Sequence, residues 1–228
     1  MATTQSGIPG EGANTNKVTS TVMHELKMFC LGGELDKIQE LVKQHNIKAC
    51  DLRADLNLPL TYACKRGHLV VAKWLVEQFG LTAADVRIAG NYALTQACDD
   101  GRLEVLKWLV DSIGLTADDA RASNALGWAC RSGHTQVALW LTRRFGLTAR
   151  DARTGDCWAL RAASFSGHLE TVQWLTEHFG LTAADAQNRG KYDDVNGYAH
   201  SNAYGCAYDN GHRSLYRWLT DRFGPPAN

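Results

Sequence analysis

The cysteines of this 228-residue chain are the first candidates for chemistry, because four of them are spaced almost evenly. They are 34, 34 and 32 residues apart: Cys30, Cys64, Cys98 and Cys130. Zinc ligands must converge on one point, and a disulfide requires Cα atoms within about 7 Å. If each cysteine belongs to its own structural unit, neighbouring thiols lie ~8–10 Å apart. We therefore expect buried core thiols, and we predict no metal site and no cofactor.

Histidines that follow a glycine form a second series: His68, His134, His168 and His212. A catalytic histidine needs a nucleophile and an orienting acid beside it, and one active site would not occur in four copies. We predict hydrogen bonds around turns for these side chains, no catalytic residue and no enzymatic activity. The alternative, an enzyme, would require a site built from His134 and Cys130 or from the segment near residues 188–200.

Tryptophan and an Asp-x-Arg pattern supply two more series. The tryptophans are Trp74, Trp108, Trp140, Trp174 and Trp218. Such a stripe could stack bases or peptides, but each indole directly precedes a leucine at core spacing, which favours packing between helices. The second pattern recurs at Asp85/Arg87, Asp119/Arg121 and Asp151/Arg153. We expect the aspartate to cap a helical turn and the arginine to bridge to the next unit.

The charge balance argues against nucleic acid or a membrane surface as the partner. The chain has 24 Lys and Arg against 24 Asp and Glu, so it lacks the basic excess that phosphate binding requires. Its apolar runs are shorter than the ~20 residues that span a bilayer, and residues 1–20 show no secretory pattern. Seven cysteines without such a signal predict reduced thiols and a cytoplasmic or nuclear location, not secretion.

All these series belong to one repeat of about 34 residues. We predict a single domain over residues 21–224, with units near 21–55, 56–89, 90–121, 122–155, 156–188 and 199–224. About ten extra residues, within 188–200, form an inserted loop before the last unit. Residues 1–20 are expected to be a disordered tail and residues 225–228 a short second tail.

Each unit reads as two helices. In the second unit, apolar spacing predicts a first helix over Leu58–Arg66 and a second over Leu69–Gln78, each followed by a glycine. Thr82 and Asp85 then form a near match to a capping box, which predicts a helical turn in the connection. No segment alternates with period two, so we predict an all-α chain in which about six helix pairs stack into a solenoid.

The repeat resembles the ankyrin repeat family. Two openings carry the resemblance: Leu58-Pro59-Leu60-Thr61-Tyr62-Ala63 and Tyr92-Ala93-Leu94-Thr95-Gln96-Ala97. Gly67-His68 follows the first and Gly101-Arg102 stands in its place after the second, and each then leads into a second helix rich in Val and Leu. The family's opening histidine is absent, and Gly-Leu-Thr-Ala-x-Asp-x-Arg replaces its β-hairpin finger, as in ankyrin proteins of large DNA viruses and protists. The resemblance implies a helical solenoid with fingers shortened or replaced by helical turns, and a non-catalytic scaffold that binds a protein partner.

In such stacks the first helices line a concave groove, and the variable positions on them are the candidate contacts. These are Tyr62, Lys65, Arg66, Gln96, Asp99, Asp100, Trp128, Arg131, Trp158 and Phe165. Aromatic residues and arginine are the types that dominate binding energy at interfaces, and the mixed charges favour a chosen protein over a polyanion. From the inserted loop we add Tyr192, Asp193, Asp194 and Tyr198, since insertions in repeats often lie on the binding face.

A second function remains open on the sequence. The chain could be a structural or assembly protein, for example viral, that self-associates or coats a larger particle. The Trp158/Phe165 region or the tyrosine-rich last unit would then form the contact.

Overall fold

The computed structural model describes residues 18–189 and 201–226. Three segments lie outside these ranges: most of the predicted amino-terminal tail, residues 190–200 of the predicted inserted loop, and residues 227–228 of the predicted tail at 225–228. The helices are α1 (Ser20–Gly32), α2 (Leu35–His45), α3 (Ala49–Ala54), α4 (Leu58–Arg66), α5 (Leu69–Phe79), α6 (Ala83–Asp99), α7 (Leu103–Asp111), α8 (Ala117–Ala122), α9 (Ala125–Arg131), α10 (Thr135–Phe145), α11 (Ala149–Ala152), α12 (Thr154–Phe165), α13 (Leu169–Phe179), α14 (Ala183–Gln187), α15 (Ala203–Asp209) and α16 (Arg213–Phe223).

The helices confirm the predicted helical repeat, and the described residues contain no strand. The first helices of the six units are α1, α4, the second part of α6, α9, α12 and α15. The second helices are α2, α5, α7, α10, α13 and α16. Short helices fill the connections: α3, the first part of α6, α8, α11 and α14. These short helices stand where a β-hairpin finger was expected to be shortened or replaced.

Helix boundaries follow the local sequence closely. In the second unit Gly67, whose φ of 81° lies in the left-handed region, caps the carboxyl end of α4, and Gly80 caps that of α5. The connection begins with the predicted capping box, because the Thr82 amide donates to Asp85 Oδ2 at 2.8 Å. Thr19 caps α1 by a different bond, because its hydroxyl oxygen accepts from the Val22 amide. The first helix therefore starts just inside the segment expected to be a tail.

A left-handed break separates the connection helix from the following first helix at the start of the second to fifth units, and this feature was not anticipated. Gly90 and Asn91 have φ values of 68° and 62° within α6, and Asn124 has 52° before α9. Asparagine tolerates this conformation better than most residues. At the equivalent Asn57 the side-chain amide also donates to the Asp85 carbonyl oxygen, in the connection at the end of the same unit, at 3.0 Å. The break thus contributes to holding the next connection in place.

Small residues bring the first helices together. The central positions of these helices are fully buried and hold Ala63, Cys64, Ala97, Cys98, Ala129, Cys130, Ala162, Ala163 and Ser164. Successive first helices lie in closer mutual contact than successive second helices. A stack that is more tightly spaced along one edge curves toward that edge, so the first helices line the inner side of the curve.

Candidate functional site

The repeated polar residues join one unit to the next. The His68 ring lies against Gly33 of the preceding unit, and its Nε2 is 3.0 Å from the Leu31 carbonyl oxygen. His212 makes the equivalent contact with the Phe165 carbonyl oxygen at 2.8 Å. Where arginine replaces histidine, Arg102 Nε donates to the Lys65 carbonyl oxygen at 3.0 Å. The predicted structural role is therefore confirmed, although these bonds cross between units rather than closing one turn.

The Asp-x-Arg pattern forms a ladder along the connections. Arg53 bonds to Asp85, Arg87 to Asp119, Arg121 to Asp151 and Arg153 to Asp185. Each aspartate also accepts from the amide of its capping threonine. These donors hold the carboxylate in its charged form, and the guanidinium of Arg53 is the main reason that the pKa of Asp85 is lowered to about 2. The ladder satisfies its own charges and leaves no arginine row to bind phosphate.

The tryptophan side chains pack at the edge of the hydrophobic core and do not form an exposed binding stripe. Trp108 is 9% exposed, and the other four indoles are half-buried and pack against the core. Within its own helix Trp74 meets Phe79 edge to face, with ring centroids 6.1 Å apart, and Trp140 meets Phe145 at 6.2 Å. These contacts support the packing interpretation over stacking of bases.

The cysteine series lies in the core of the stack. Cys30, Cys64, Cys98 and Cys130 are fully buried, and burial raises the pKa of the Cys64 thiol to about 12. Within residues 18–189 and 201–226 no three His, Cys, Asp or Glu side chains group as metal ligands would. No helix in those ranges is long and apolar enough to cross a bilayer.

What remains is the inner surface of the curve, here called the first-helix face. Its apolar members, one or two from each of the first five units, are Met28, Tyr62, Tyr92, Trp128, Trp158 and Phe165. Met28 is 46% exposed and Tyr92 is 39% exposed, and the other four are half-buried. Met28 occupies the position of Tyr62 one unit earlier, and Tyr92 that of Trp158 two units earlier. Neither was among the predicted contacts, although equal offsets in the repeat would have found both.

The strongest aromatic grouping on this face joins two units. The Trp128 and Trp158 rings are 5.2 Å apart at an interplanar angle of 64°, and the Arg131 guanidinium lies 5.2 Å from the Trp128 ring centre. The Trp158 ring fits over Gly127, where a β-carbon would overlap it. The structure thus brings together three of the predicted residues, with Phe165 at the Arg131 position of the next unit.

Most charges predicted for this face neutralise each other. Asp99 accepts from the Ser132 hydroxyl at 2.5 Å and lies 3.5 Å from Arg131 Nη1. Asp100 lies 3.9 Å from Arg66 Nη1. Some of the opposite charges on this face therefore form contacts between neighbouring units. Less charge remains available to a partner than the sequence suggested.

Gln96 does not fit its predicted role. Gln96 is only 8% exposed, so its side chain is not available as a contact on the first-helix face. Variation from unit to unit identified this position, but variation does not report exposure. The four loop residues proposed as contacts, Tyr192, Asp193, Asp194 and Tyr198, lie outside the described residues.

Comparison with known proteins agrees with this geometry. A family model described as ankyrin repeats (3 copies) matches residues 26–121 and residues 94–189. Among solved structures 89 chains match. One of them, the human ASB11 ankyrin repeat domain, is 21% identical, with 89% of this chain and 99% of that chain covered and a TM-score of 0.54. At that identity the likeness shows the fold. No curated protein matches the sequence.

Proposed function

This chain belongs to the ankyrin repeat family, and we propose that it is a non-catalytic scaffold that binds a partner protein through its first-helix face. Ankyrin repeats are generally protein–protein interaction modules. The partner contacts proposed here are Tyr62, Lys65, Arg66, Asp99, Asp100, Trp128, Arg131, Trp158 and Phe165, together with Met28 and Tyr92. A cytoplasmic or nuclear location is part of the same proposal, and the free cysteines support it.

One observation carries the proposal: apolar side chains remain accessible on the inner side of the curve in consecutive units. Tyr92 is 39% exposed although residues 93–98, which follow it in the same helix, are buried, and Trp128 and Trp158 continue the apolar surface in the next two units. An exposed aromatic surface on a rigid framework loses little conformational entropy on binding. Solvation alone gives no reason for aromatic residues to recur here, since polar residues would serve equally well.

Site-specific photo-crosslinking tests the proposal. Benzoylphenylalanine in place of Tyr92 samples the first-helix face, and the same residue in place of Val70 samples an exposed position on the second helix α5. In the native cell we expect a discrete protein adduct from position 92 that position 70 does not give. Equal adducts from both positions, or adducts from position 70 alone, would place the contact elsewhere and overturn the proposal.

A second function, self-association, is favoured by one feature of the last unit. Tyr208 occupies the position of the buried cysteine series and yet is 71% exposed, because no further unit covers it among the described residues. Together with Tyr216 and Arg217 it lines an open cavity of about 620 Å³. Light scattering at micromolar concentration distinguishes the two functions. A mass that rises with concentration and returns to one chain on Tyr208→Ser supports assembly, and a constant single-chain mass excludes it in that range.

A further inference from the structure

The first-helix face is not uniform along the stack, and its two halves differ in charge. At the helix ends of the second and third units Lys65, Arg66 and Arg102 form a group, here called the basic cluster. Asp100 Oδ2 lies 3.9 Å from both Arg66 Nη1 and Arg102 Nη2. This distance exceeds hydrogen-bond range, so one carboxylate is shared loosely between two guanidinium groups.

The basic cluster keeps positive charge in excess. The side chains of Arg66 and Arg102 are 50% and 38% exposed, whereas that of Asp100 is 18% exposed. The Lys65 ammonium forms no ion pair within the part of the chain that the structure describes. Two guanidinium groups therefore share one carboxylate, and Lys65, next to Arg66 in the chain, adds a third cation, so positive charge exceeds negative charge in the cluster.

Helix electrostatics alone do not account for the cluster. Cations near a helix carboxyl end are stabilised by the helix dipole, which is the simplest reason for Lys65 and Arg66 at the end of α4. The same two positions hold Asp99 and Asp100 in the next unit, however, and the later units hold residues of either sign or none, namely Arg131/Ser132, Phe165/Ser166 and Asp209/Asn210. Because the fold accepts either sign there, the cluster is a property of this surface rather than of the repeat.

The other half of the face is apolar. Trp128 and Trp158 present tilted rings 5.2 Å apart, and Arg131 beside them is already engaged by Asp99 at 3.5 Å and by the Trp128 ring. The basic cluster lies between the second and third units and the two indoles lie between the fourth and fifth. With neighbouring helices ~8–10 Å apart, the two halves are separated by roughly 20 Å.

We propose that the partner segment held by the first-helix face carries carboxylates at one end, for the basic cluster, and an aromatic or large aliphatic side chain about 20 Å away, for Trp128 and Trp158. This inference rests on the proposed function and specifies the chemistry of the partner. An extended segment spans that distance in about six residues and a helix in about 13. The charge at one end fixes the direction in which the segment lies along the groove.

Peptide selection on the full chain tests the proposal. A display library of random segments of about 16 residues covers both conformations, and the enriched peptides are then synthesised and titrated by fluorescence anisotropy. We expect acidic residues at one end and an aromatic or large aliphatic residue at the other. Lys65→Glu/Arg66→Glu should weaken binding at least about tenfold, since charge complementarity becomes repulsion. The matched control Lys73→Glu, on the exposed side of α5 in the same unit, should change affinity less than about twofold.

The apolar half has its own variants. Trp128→Ala should weaken the binding of the same peptides. Trp128→Phe keeps a ring for the contact and should bind them more tightly than Trp128→Ala does. Thermal unfolding followed by circular dichroism checks that each variant is folded. If the double charge reversal unfolds, Lys65→Gln/Arg66→Gln replaces it, with a smaller loss expected.

Three results would overturn the inference: enriched peptides that lack carboxylates, affinities that the Lys65/Arg66 variants leave unchanged, or no enrichment from the library. Peptides without carboxylates that still block crosslinking from position 92 would refute the partner chemistry alone and leave the proposed function standing. Peptides that bind equally well to the Lys65/Arg66 and Trp128 variants, together with no adduct from position 92, would refute both.

Discussion

The guanidinium of Arg87 donates from Nε and Nη2 to the two carboxylate oxygens of Asp119, at 2.7 and 2.9 Å, across the boundary between the second and third units. The same carboxylate accepts from the amide of Thr116 at 2.8 Å. One aspartate thus caps the helix of its own unit and binds the unit before it. Removing it breaks a local and a long-range contact at once.

Asp119→Ala should therefore destabilise the fold by roughly 2–3 kcal/mol, because it removes charge-assisted hydrogen bonds from a buried acceptor. Urea unfolding measures the change as a lower midpoint at unchanged slope. The neighbouring Asp118→Ala is the control, because that side chain is 95% exposed and should stay within about 0.5 kcal/mol of the parent. Equal effects of the two substitutions would show that the ladder contributes nothing measurable.

Acid should weaken the fold through the same carboxylates. The pKa of Asp85 is lowered to about 2 and that of Asp185 to about 2, each mainly by its arginine partner. Since the unfolded value is near 4, their contribution is present above about pH 4 and is lost as the pH falls toward 2. Urea midpoints recorded between pH 6 and pH 2 should fall over this window. Arg53→Gln should be less stable at pH 6 and approach the parent protein near pH 2, and parallel curves would contradict this cause.

Glycine at position 127 should be required for packing, whereas its counterpart in the last unit should not. A β-carbon at Gly127 would overlap the Trp158 ring, but one at Gly205 would come no closer than 3.4 Å to Ser201. We expect Gly127→Ala to cost about 1–3 kcal/mol through overpacking. Gly205→Ala should be neutral or stabilise the helix by up to about 1 kcal/mol. Denaturation of both variants provides the comparison, and a stabilised Gly127→Ala protein would mean that the Trp158 ring moves aside freely.

Thiol reactivity should divide the cysteines sharply. Cys50 is exposed, and the other six are buried. Burial also raises the pKa of the Cys64 thiol to about 12, which leaves almost no reactive thiolate at neutral pH. A chromogenic disulfide reagent at pH 8 should label one thiol rapidly in the native protein and all seven in denaturant. Rapid labelling of several native thiols would show that the first helices separate readily.

Several features could be predicted from residue spacing alone. The repeat predicted two helices in each unit, and α4 matches its predicted limits. Both follow from local sequence, because apolar spacing defines the helix and glycine ends it. The Asp-x-Arg bridge was also predicted, but its first member was missed. Arg53 follows Asp51 at the correct offset, although the first unit lacks the Gly-Leu-Thr-Ala string that marks the later ones.

Other features depend on contacts that spacing does not encode. The left-handed break at Asn57, Asn91 and Asn124 follows a recurring asparagine, but only the packed neighbour shows what the turn accomplishes. The contacts on the first-helix face were the least predictable part, since the Gln96 position varies between units and Gln96 is nevertheless buried. The pairing of Asp99 with Ser132 and Arg131 likewise depends on how two helices approach, which no single unit specifies.

The Arg–Asp ladder has a direction and a last rung. Every arginine reaches forward to the following unit, and within the described residues the series stops at Asp185, because Gln187 stands where the next arginine would be. The final helix pair, α15 and α16, therefore joins its neighbour without this bridge. In a linear array whose members contact only adjacent members, opening starts at the weakest joint. We expect α15 and α16 to exchange their amide hydrogens before the other helices do, so that unfolding starts at the last unit and proceeds toward the first.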